Sequence, residues 1–230
     1  MRNIFLKILA AAIALSIMGI CFADEVVMKT RQDKYGNIEQ SFYENGKWLA
    51  TQITDGISEI NSTGKIPDGL VREYYLNGNL KIQKYYKNGI EDGEYIGFYE
   101  NGKVEFKGRF KQGTNDGVCL EYYENGVVAA EMNYNNGNLN GDWNEYYGDG
   151  SIKTKKTFKD GKQHGIFTTH DKSGRLVDHM SYADGKVLFG TRKEYYENGL
   201  TKYMDSYRNG VKISRRAYEE NGNLKFTKNY

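Results

Sequence analysis

Proline is nearly missing from this chain: Pro67 is the only one in 230 residues, which leaves no room for a proline-rich linker. Cysteine is almost as scarce, with Cys21 in an N-terminal apolar run and Cys119 far from it. Beyond that run no internal disulfide can close, so the fold must rest on packing and hydrogen bonding. Paired Cys-x-x-Cys ligand sets, a nucleophile elbow and a phosphate-cradling glycine loop leading into a helix are all missing. No block of like charge occurs either. The excess of 32 basic over 30 acidic residues consists of Arg2 and Lys7, so the remainder is formally neutral. Nucleic acid and anionic lipid therefore have no electrostatic footprint here. What is abundant is glycine, with 27 residues, and tyrosine, with 20.

The first residues read as an export signal. Arg2 and Lys7 give a positive start, Ile8 to Ile20 an uncharged apolar run, and Cys21-Phe22-Ala23 small residues at the two positions that a signal peptidase reads. Cleavage is expected after Ala23, which makes 1–23 a signal peptide. The run is shorter than the ~20 apolar residues that span a bilayer. Lipidation of Cys21 ranks second, because Ile20 is bulky for such a site. The expected location is periplasmic, cell-surface or secreted. Cys119, between Val118 and Leu120 in a strand pattern, reads as a packed or half-exposed thiol.

The abundant residues recur in phase. Turn dipeptides end at Gly78, Gly102, Gly126, Gly150, Gly174, Gly199 and Gly222, with gaps of 24, 24, 24, 24, 25 and 23 residues. A second ladder runs through Gly89, Gly113, Gly137, Gly161, Gly185 and Gly210, and a third through Gly69, Gly93, Gly117, Gly141, Gly165 and Gly190. A fixed period of this kind marks a repeat array. After each turn the pattern alternates, as in Leu80 and Ile82 or Val104 and Phe106. Eight residues past the turn glycine stands an aromatic: Tyr86, Phe110, Tyr134, Phe158, Tyr182, Tyr207 and Tyr230. Alternation with β-branched and aromatic residues predicts half-buried strands. Helix is excluded by glycine density, since each interior glycine costs ~1 kcal/mol. Asn-Gly favours two-residue hairpin turns with positive φ at both positions. The expected fold is all-β: an elongated antiparallel meander of β-hairpins, one hairpin per unit. A lone hairpin is marginal, so neighbouring units must pair. Rings such as Tyr74, Phe98, Tyr122, Tyr146 and Tyr195 are expected to cover glycine-rich backbone.

Tyr86-Lys-Asn-Gly89-Ile-Glu-Asp-Gly93 and Phe158-Lys-Asp-Gly161-Lys-Gln-His-Gly165 resemble the MORN repeat, read as aromatic-x-x-Gly-x-x-x-Gly. The added Tyr-Tyr-x-Asn-Gly, at Tyr74 to Gly78, Tyr122 to Gly126 and Tyr195 to Gly199, is similar to the bacterial MORN-variant repeat family. The resemblance covers Asp68 to Tyr230, and Tyr43-Glu-Asn-Gly46 extends it weakly toward the start. It implies a repeat ribbon used for protein or membrane association. Some bacterial members carry the label of antitoxins, and exported ones recur in host-associated bacteria. The expected domains are a divergent N-terminal cap with an inserted loop at 24–66, then about seven ~24-residue repeats at 67–230. Within the first, Asp24 to Gly56 form the cap, and the polar insert from Ile57 to Pro67 reads as a loop.

Departures from the period are candidate sites. Gly190 follows Gly185 by five residues instead of four, which predicts a bulge or a longer turn, and Ser214 stands where the next glycine is expected. His164, His170 and His179 fall within one unit and are residue types that suit zinc or general-base work. Against that, His164 occupies a turn position where MORN repeats often carry histidine. His170 and His179 are expected to face each other across the Ser173-Gly174 turn as a simple pair. Glu73, Glu121, Glu145 and Glu194 recur at one strand position and read as a solvated stripe that discourages stray sheet pairing. No catalytic, cofactor or metal residue is assigned, and the chain is read as a non-enzyme. The predicted role is a protein-binding or scaffold surface, with Tyr75, Tyr99, Tyr123, Trp143, Tyr147 and Tyr196 as contacts, since aromatic anchors dominate interfaces. The alternative is neutralisation of a partner toxin, against which the export signal weighs. Lipid-headgroup binding is not favoured, because a neutral chain gives no salt-sensitive attraction to anionic lipid.

Overall fold

The computed structural model describes residues 25–33, 35–55 and 59–230, so the 1–23 signal reading lies outside the described residues. The chain divides into two compact units, one ending at Lys103 and the other running from Val104 to Tyr230. Among the described residues of the first unit, seven strands follow one another: β1 (Val26–Gln32), β2 (Ile38–Glu44), β3 (Lys47–Thr54), β4 (Glu59–Gly64), β5 (Gly69–Tyr74), β6 (Leu80–Lys87) and β7 (Ile90–Phe98). Adjacent strands pair antiparallel except at one place. β4 and β5 do not pair; instead β1 lies parallel to β5, with Val26 opposite Val71 and Val27 opposite Arg72. The order across the sheet is therefore β4-β3-β2-β1-β5-β6-β7.

That parallel join makes the sheet roll. β2 and β6 are separated by β1 and β5, which in a flat sheet would hold them ~14 Å apart. Yet the rings of Phe42 on β2 and Tyr86 on β6 meet edge to face with centroids 5.5 Å apart. The roll encloses Val26, Met28, Phe42, Ala50, Ile66, Val71 and Tyr86, flanked by Leu49 and Ile82. Phe42 is fully buried. The insert is corrected here. Residues 59–64 form β4, paired with β3 from Thr54–Glu59 to Ala50–Gly64, and Ile66 enters the core. β4 supplies hydrogen bonds that β3 would otherwise lack, and Gly64 is needed because a Cβ there would sit 2.1 Å from the Leu49 carbonyl oxygen. Ile57 lies outside the described residues.

The second unit is a meander of thirteen strands: β8 (Val104–Lys111), β9 (Thr114–Asn115), β10 (Gly117–Tyr122), β11 (Val128–Asn135), β12 (Asn138–Tyr146), β13 (Ile152–Lys159), β14 (Lys162–Gln163), β15 (Gly165–His170), β16 (Leu176–Ala183), β17 (Lys186–Tyr195), β18 (Thr201–Arg208), β19 (Val211–Tyr218) and β20 (Leu224–Asn229). Every pairing within it is antiparallel. The all-β hairpin array expected from the period is what forms.

Two turn types alternate, and they correct the turn assignment. In Tyr75-Leu76-Asn77-Gly78-Asn79 the Gly78 amide donates to the Tyr75 carbonyl at 3.0 Å and the Tyr75 amide to the Asn79 carbonyl at 2.9 Å. Only Gly78 has positive φ, at 87°. This is a three-residue loop, a type I turn closed by a left-handed glycine. The Asn77 side chain serves it by accepting from the Asn79 amide. The two-residue turns with positive φ at both positions lie on the second ladder, as at Asn88 (54°) and Gly89 (77°) or Asp160 (50°) and Gly161 (76°). Asn-Gly suits both types, so the dipeptide alone does not separate them.

The third glycine ladder marks bulges. Between the pairs Met132–Trp143 and Tyr134–Leu139, one residue of β11 faces Asn140, Gly141 and Asp142 of β12. Gly141 takes φ of 107° inside that wide bulge, and Gly93, Gly117 and Gly165 are positive in the same way. Five of the rings eight residues past a turn lie directly opposite a leading glycine: Tyr86 on Gly69, Tyr134 on Gly117, Phe158 on Gly141, Tyr182 on Gly165 and Tyr207 on Gly190. The expected irregularity at Gly190 is present, but as a narrower bulge. Ser181 there faces one extra residue, since Ser181 pairs with Phe189 and Tyr182 with Val187, leaving Leu188 out. The next hairpin repeats this at Ile213. Neither Gly190 nor Ser214 has positive φ, so serine is tolerated at the latter.

Candidate functional site

Directly paired residues share a face, so the register turns the second unit into rows of side chains. One row reads Cys119, Met132, Trp143 and Lys156, and at the same level on later strands stand Phe167, Met180 and Gly190. Beside it run Tyr134, Phe158 and Tyr182. Met132 and Met180 are buried within this face, while the rings of Trp143, Tyr134, Phe158 and Tyr182 stay half-exposed. Cys119 is buried, as a packed thiol should be. Trp143 stacks at a tilt on Phe158, 5.6 Å between centroids, and Lys156 Nζ lies 4.4 Å over its ring. The Trp143 Nε1 and Gln163 Nε2 donors are covered and find no partner among the described residues. Such groups carry a desolvation cost that paired groups escape.

The tyrosine ladder has a structural task. Tyr75 donates its hydroxyl to the Phe98 carbonyl at 2.6 Å, Tyr123 to Tyr146 at 2.8 Å, Tyr147 to His170 at 2.8 Å and Tyr196 to Tyr218 at 2.8 Å. The turn asparagines act in parallel: Asn125 Nδ2 donates to the Gly148 carbonyl and Asn198 Nδ2 to Glu220. Each Tyr-Tyr-x-Asn-Gly turn is thus stapled to the equivalent turn one repeat on, which explains why the second tyrosine and the asparagine recur together. The hydroxyls of these four tyrosines are committed, while their rings stay half-exposed. Tyr99 also has interactions of its own, so none of the ladder stands idle.

A second constellation escaped the sequence reading. A neighbouring row on the aromatic face runs Glu121, Ala130, Glu145, Thr154, Thr169, Asp178, Arg192, Asp205, Arg215 and Lys228. From Asp178 to Arg215 it alternates in charge. Asp178 accepts from Arg192 Nε at 2.6 Å and from Thr169 Oγ1 at 3.0 Å. Asp205 is held by Arg215 Nε at 2.7 Å, Arg215 Nη2 at 2.8 Å and Lys212 Nζ at 2.9 Å. The Arg215 hydrogen bonds hold the Asp205 carboxyl below the usual carboxylate range against its burial. The hydrogen bond to Asp178 likewise raises the Arg192 guanidinium. The narrow bulge creates this ladder. It slides the following strand by two residues relative to its leading glycine, bringing Arg192 opposite both Asp178 and Asp205. The signal in the sequence was the five-residue step itself.

Two expectations about charge and histidine are corrected. Glu73 is buried and paired with Lys81 at 3.1 Å, because β5 borders the rolled core; Glu121 and Glu194 are exposed as the solvated stripe requires, and Glu145 is half-buried. His170 and His179 do not face each other: the bulge at Thr169/His170 sets His170 against Leu176 and His179 against Thr168. His164 is exposed in the wide bulge. Among the described residues no three His, Cys, Asp or Glu side chains gather to hold a metal ion. In the first unit, Glu25 receives the Tyr74 hydroxyl and Arg72 Nη1, the latter at 3.3 Å. Burial and then Glu25 push the Tyr74 hydroxyl up to about 12. The depression lined by Leu120, Val128, Glu131 and Tyr146 is open and encloses nothing.

Hairpins joined turn to turn by side-chain staples, with half-exposed rings along one sheet face, define a β-hairpin repeat protein whose organisation suits binding. Residues 67–88, 91–112, 115–136 and 139–160 match the MORN repeat variant in four consecutive copies, a repeat family that is in general non-enzymatic. Both narrow bulges lie beyond the matched copies. No curated protein matches the chain.

Proposed function

We propose that this chain is exported and works as a protein-binding scaffold, not as a catalyst. The observation that carries the reading is the aromatic face of the second unit, on which the rings of Trp143, Tyr134, Phe158 and Tyr182 stay half-exposed. Trp143 is its central anchor: a large ring with a cation over one side and an aromatic neighbour, of the type that dominates interface energetics. The rings of Tyr75, Tyr99, Tyr123, Tyr147 and Tyr196 are further contacts, presented by the stapled turns as rigid surface. Affinity capture from the producing cell's envelope and from host-cell surface extracts tests this. A defined partner captured by the wild type and lost with Trp143→Ala, at unchanged circular dichroism, supports it. Equal capture by both variants places the contact elsewhere and overturns the assignment of Trp143. Capture of a toxin encoded nearby, with relief of its toxicity, favours the antitoxin alternative. Export is tested by N-terminal sequencing of protein from the extracellular and periplasmic fractions, where a start at Asp24 is expected.

A further inference from the structure

The faces of the last six strands differ in charge to an extent that composition hides. β15 to β20 contain three carboxylates, Asp178, Glu194 and Asp205. The register puts all three on the aromatic face, with Asp178 and Asp205 inside the ion-pair ladder and Glu194 opposite Tyr203. The opposite face of these strands carries cations and no carboxylate: Lys193 and Arg216 align through Met204, and Arg208 and Lys186 stand toward the two-residue turns. Asp184 stands at the tip of the two-residue turn before Lys186.

Across that cationic face runs an apolar row. Ile166 pairs with Ser181, Ser181 with Phe189, Phe189 with Arg208 and Arg208 with Val211. Ile166, Phe189 and Val211 are 47%, 55% and 64% exposed, and the bulged Leu188 adds 40% beside Phe189. Wide bulges hold Asn140-Gly141-Asp142 or Asp116-Gly117-Val118 at this level, whereas the narrow bulge sets two large apolar side chains on the surface. Successive apolar residues are two strand spacings apart, ~10 Å, which is close to the ~11 Å of two helical turns.

We propose that this face docks an acidic amphipathic helix of a partner protein, laid across β15 to β19. Its apolar stripe meets Ile166, Phe189 and Val211 at every second turn, and its flanking carboxylates meet Arg208, Lys186 and Lys193. The chain's own residues 1–23 do not fit, because their only charges are Arg2 and Lys7. This rests on the protein-binding reading above but uses the other face of the sheet.

The probe is a fluorescent synthetic helix with leucines at heptad positions and glutamates elsewhere, titrated into the chain from Asp24 onward by anisotropy. A second helix with lysine in place of glutamate is the control. The glutamate helix binds and the lysine helix does not. Phe189→Ser and Arg208→Glu each weaken binding by about ten-fold or more, while Phe226→Ser on the aromatic face leaves it unchanged. Raising the salt from ~0.05 to ~0.5 M weakens binding as well. The exposure of Phe189 and Arg208 lets both variants fold, checked by thermal melting. Equal binding of both helices, or binding indifferent to both substitutions, overturns the proposal. So does binding to phosphatidylserine vesicles without binding to the glutamate helix, which would make the face a membrane contact. Self-association lost with Phe189→Ser, without helix binding, would make the occupant a second copy and overturn it too. None of these outcomes touches the capture experiment at Trp143, so the two readings fail separately.

Discussion

Asp205 is the buried carboxylate with the most complete set of partners, and its contribution depends on its being ionised. Its folded-state pKa is lowered, so the stabilisation is present above the ordinary aspartate value near 4 and disappears as pH falls through the folded value. Asp205→Asn is expected to cost about 1–3 kcal/mol at neutral pH, leaving Arg215 and Lys212 without their anion. Urea unfolding of both proteins measures it: the gap should be constant from neutral pH to ~5 and close below ~4. A gap that persists at low pH would mean that shape, not charge, holds the ladder. Gly190 shows a different residue-scale constraint. A Cβ there would lie 2.4 Å from the His179 carbonyl oxygen and from Met180 Sδ, so close approach, and not backbone freedom, requires glycine.

A single hairpin of this protein is held by the next turn as well as by its own ladder. Tyr147→Phe removes one hydroxyl and leaves the His170 carbonyl unpaired by it, with an expected loss of about 1 kcal/mol. Amide exchange at the turns of residues 147–151 and 171–175 should quicken, while the middle of β13 keeps its protection; unchanged exchange at both turns would deny the staple. At this scale the sequence was largely legible. Glycine period and strand alternation report backbone needs that recur in every copy. Turn type was not legible, because Asn-Gly serves a two-residue turn and also the end of a three-residue loop. The slide of register at Leu188 was legible only as one extra residue. Its consequence, Arg192 set between two aspartates, depends on pairing three strands at once. The misreading of residues 59–64 has a similar cause, since a polar strand that mainly completes a neighbour's hydrogen bonds carries no apolar alternation.

At the scale of the molecule, the hydrophobic core cluster of the described residues lies in the rolled first unit. Phe42→Ala empties the centre of its core and is expected to cost about 3–5 kcal/mol. Denaturant unfolding with amide exchange by mass spectrometry should show protection lost first in β1 to β6, while β11 to β18 retain theirs. Simultaneous loss throughout would show that the array unfolds as one cooperative block. Binding candidates were legible as types of residue and not as faces, because a face exists only once the register is known. The parallel join of β1 to β5 also sets a timetable. Every other pairing in the first unit joins neighbours in sequence and can form as soon as both strands have left the ribosome. β1 must wait for Val71, 45 residues after Val26, before its second edge is filled. Until then β1 has an open edge and the roll cannot close over Phe42, so the core of the first unit stays incomplete while its next segments emerge. For the export proposed above, that delay would keep the first unit open for longer.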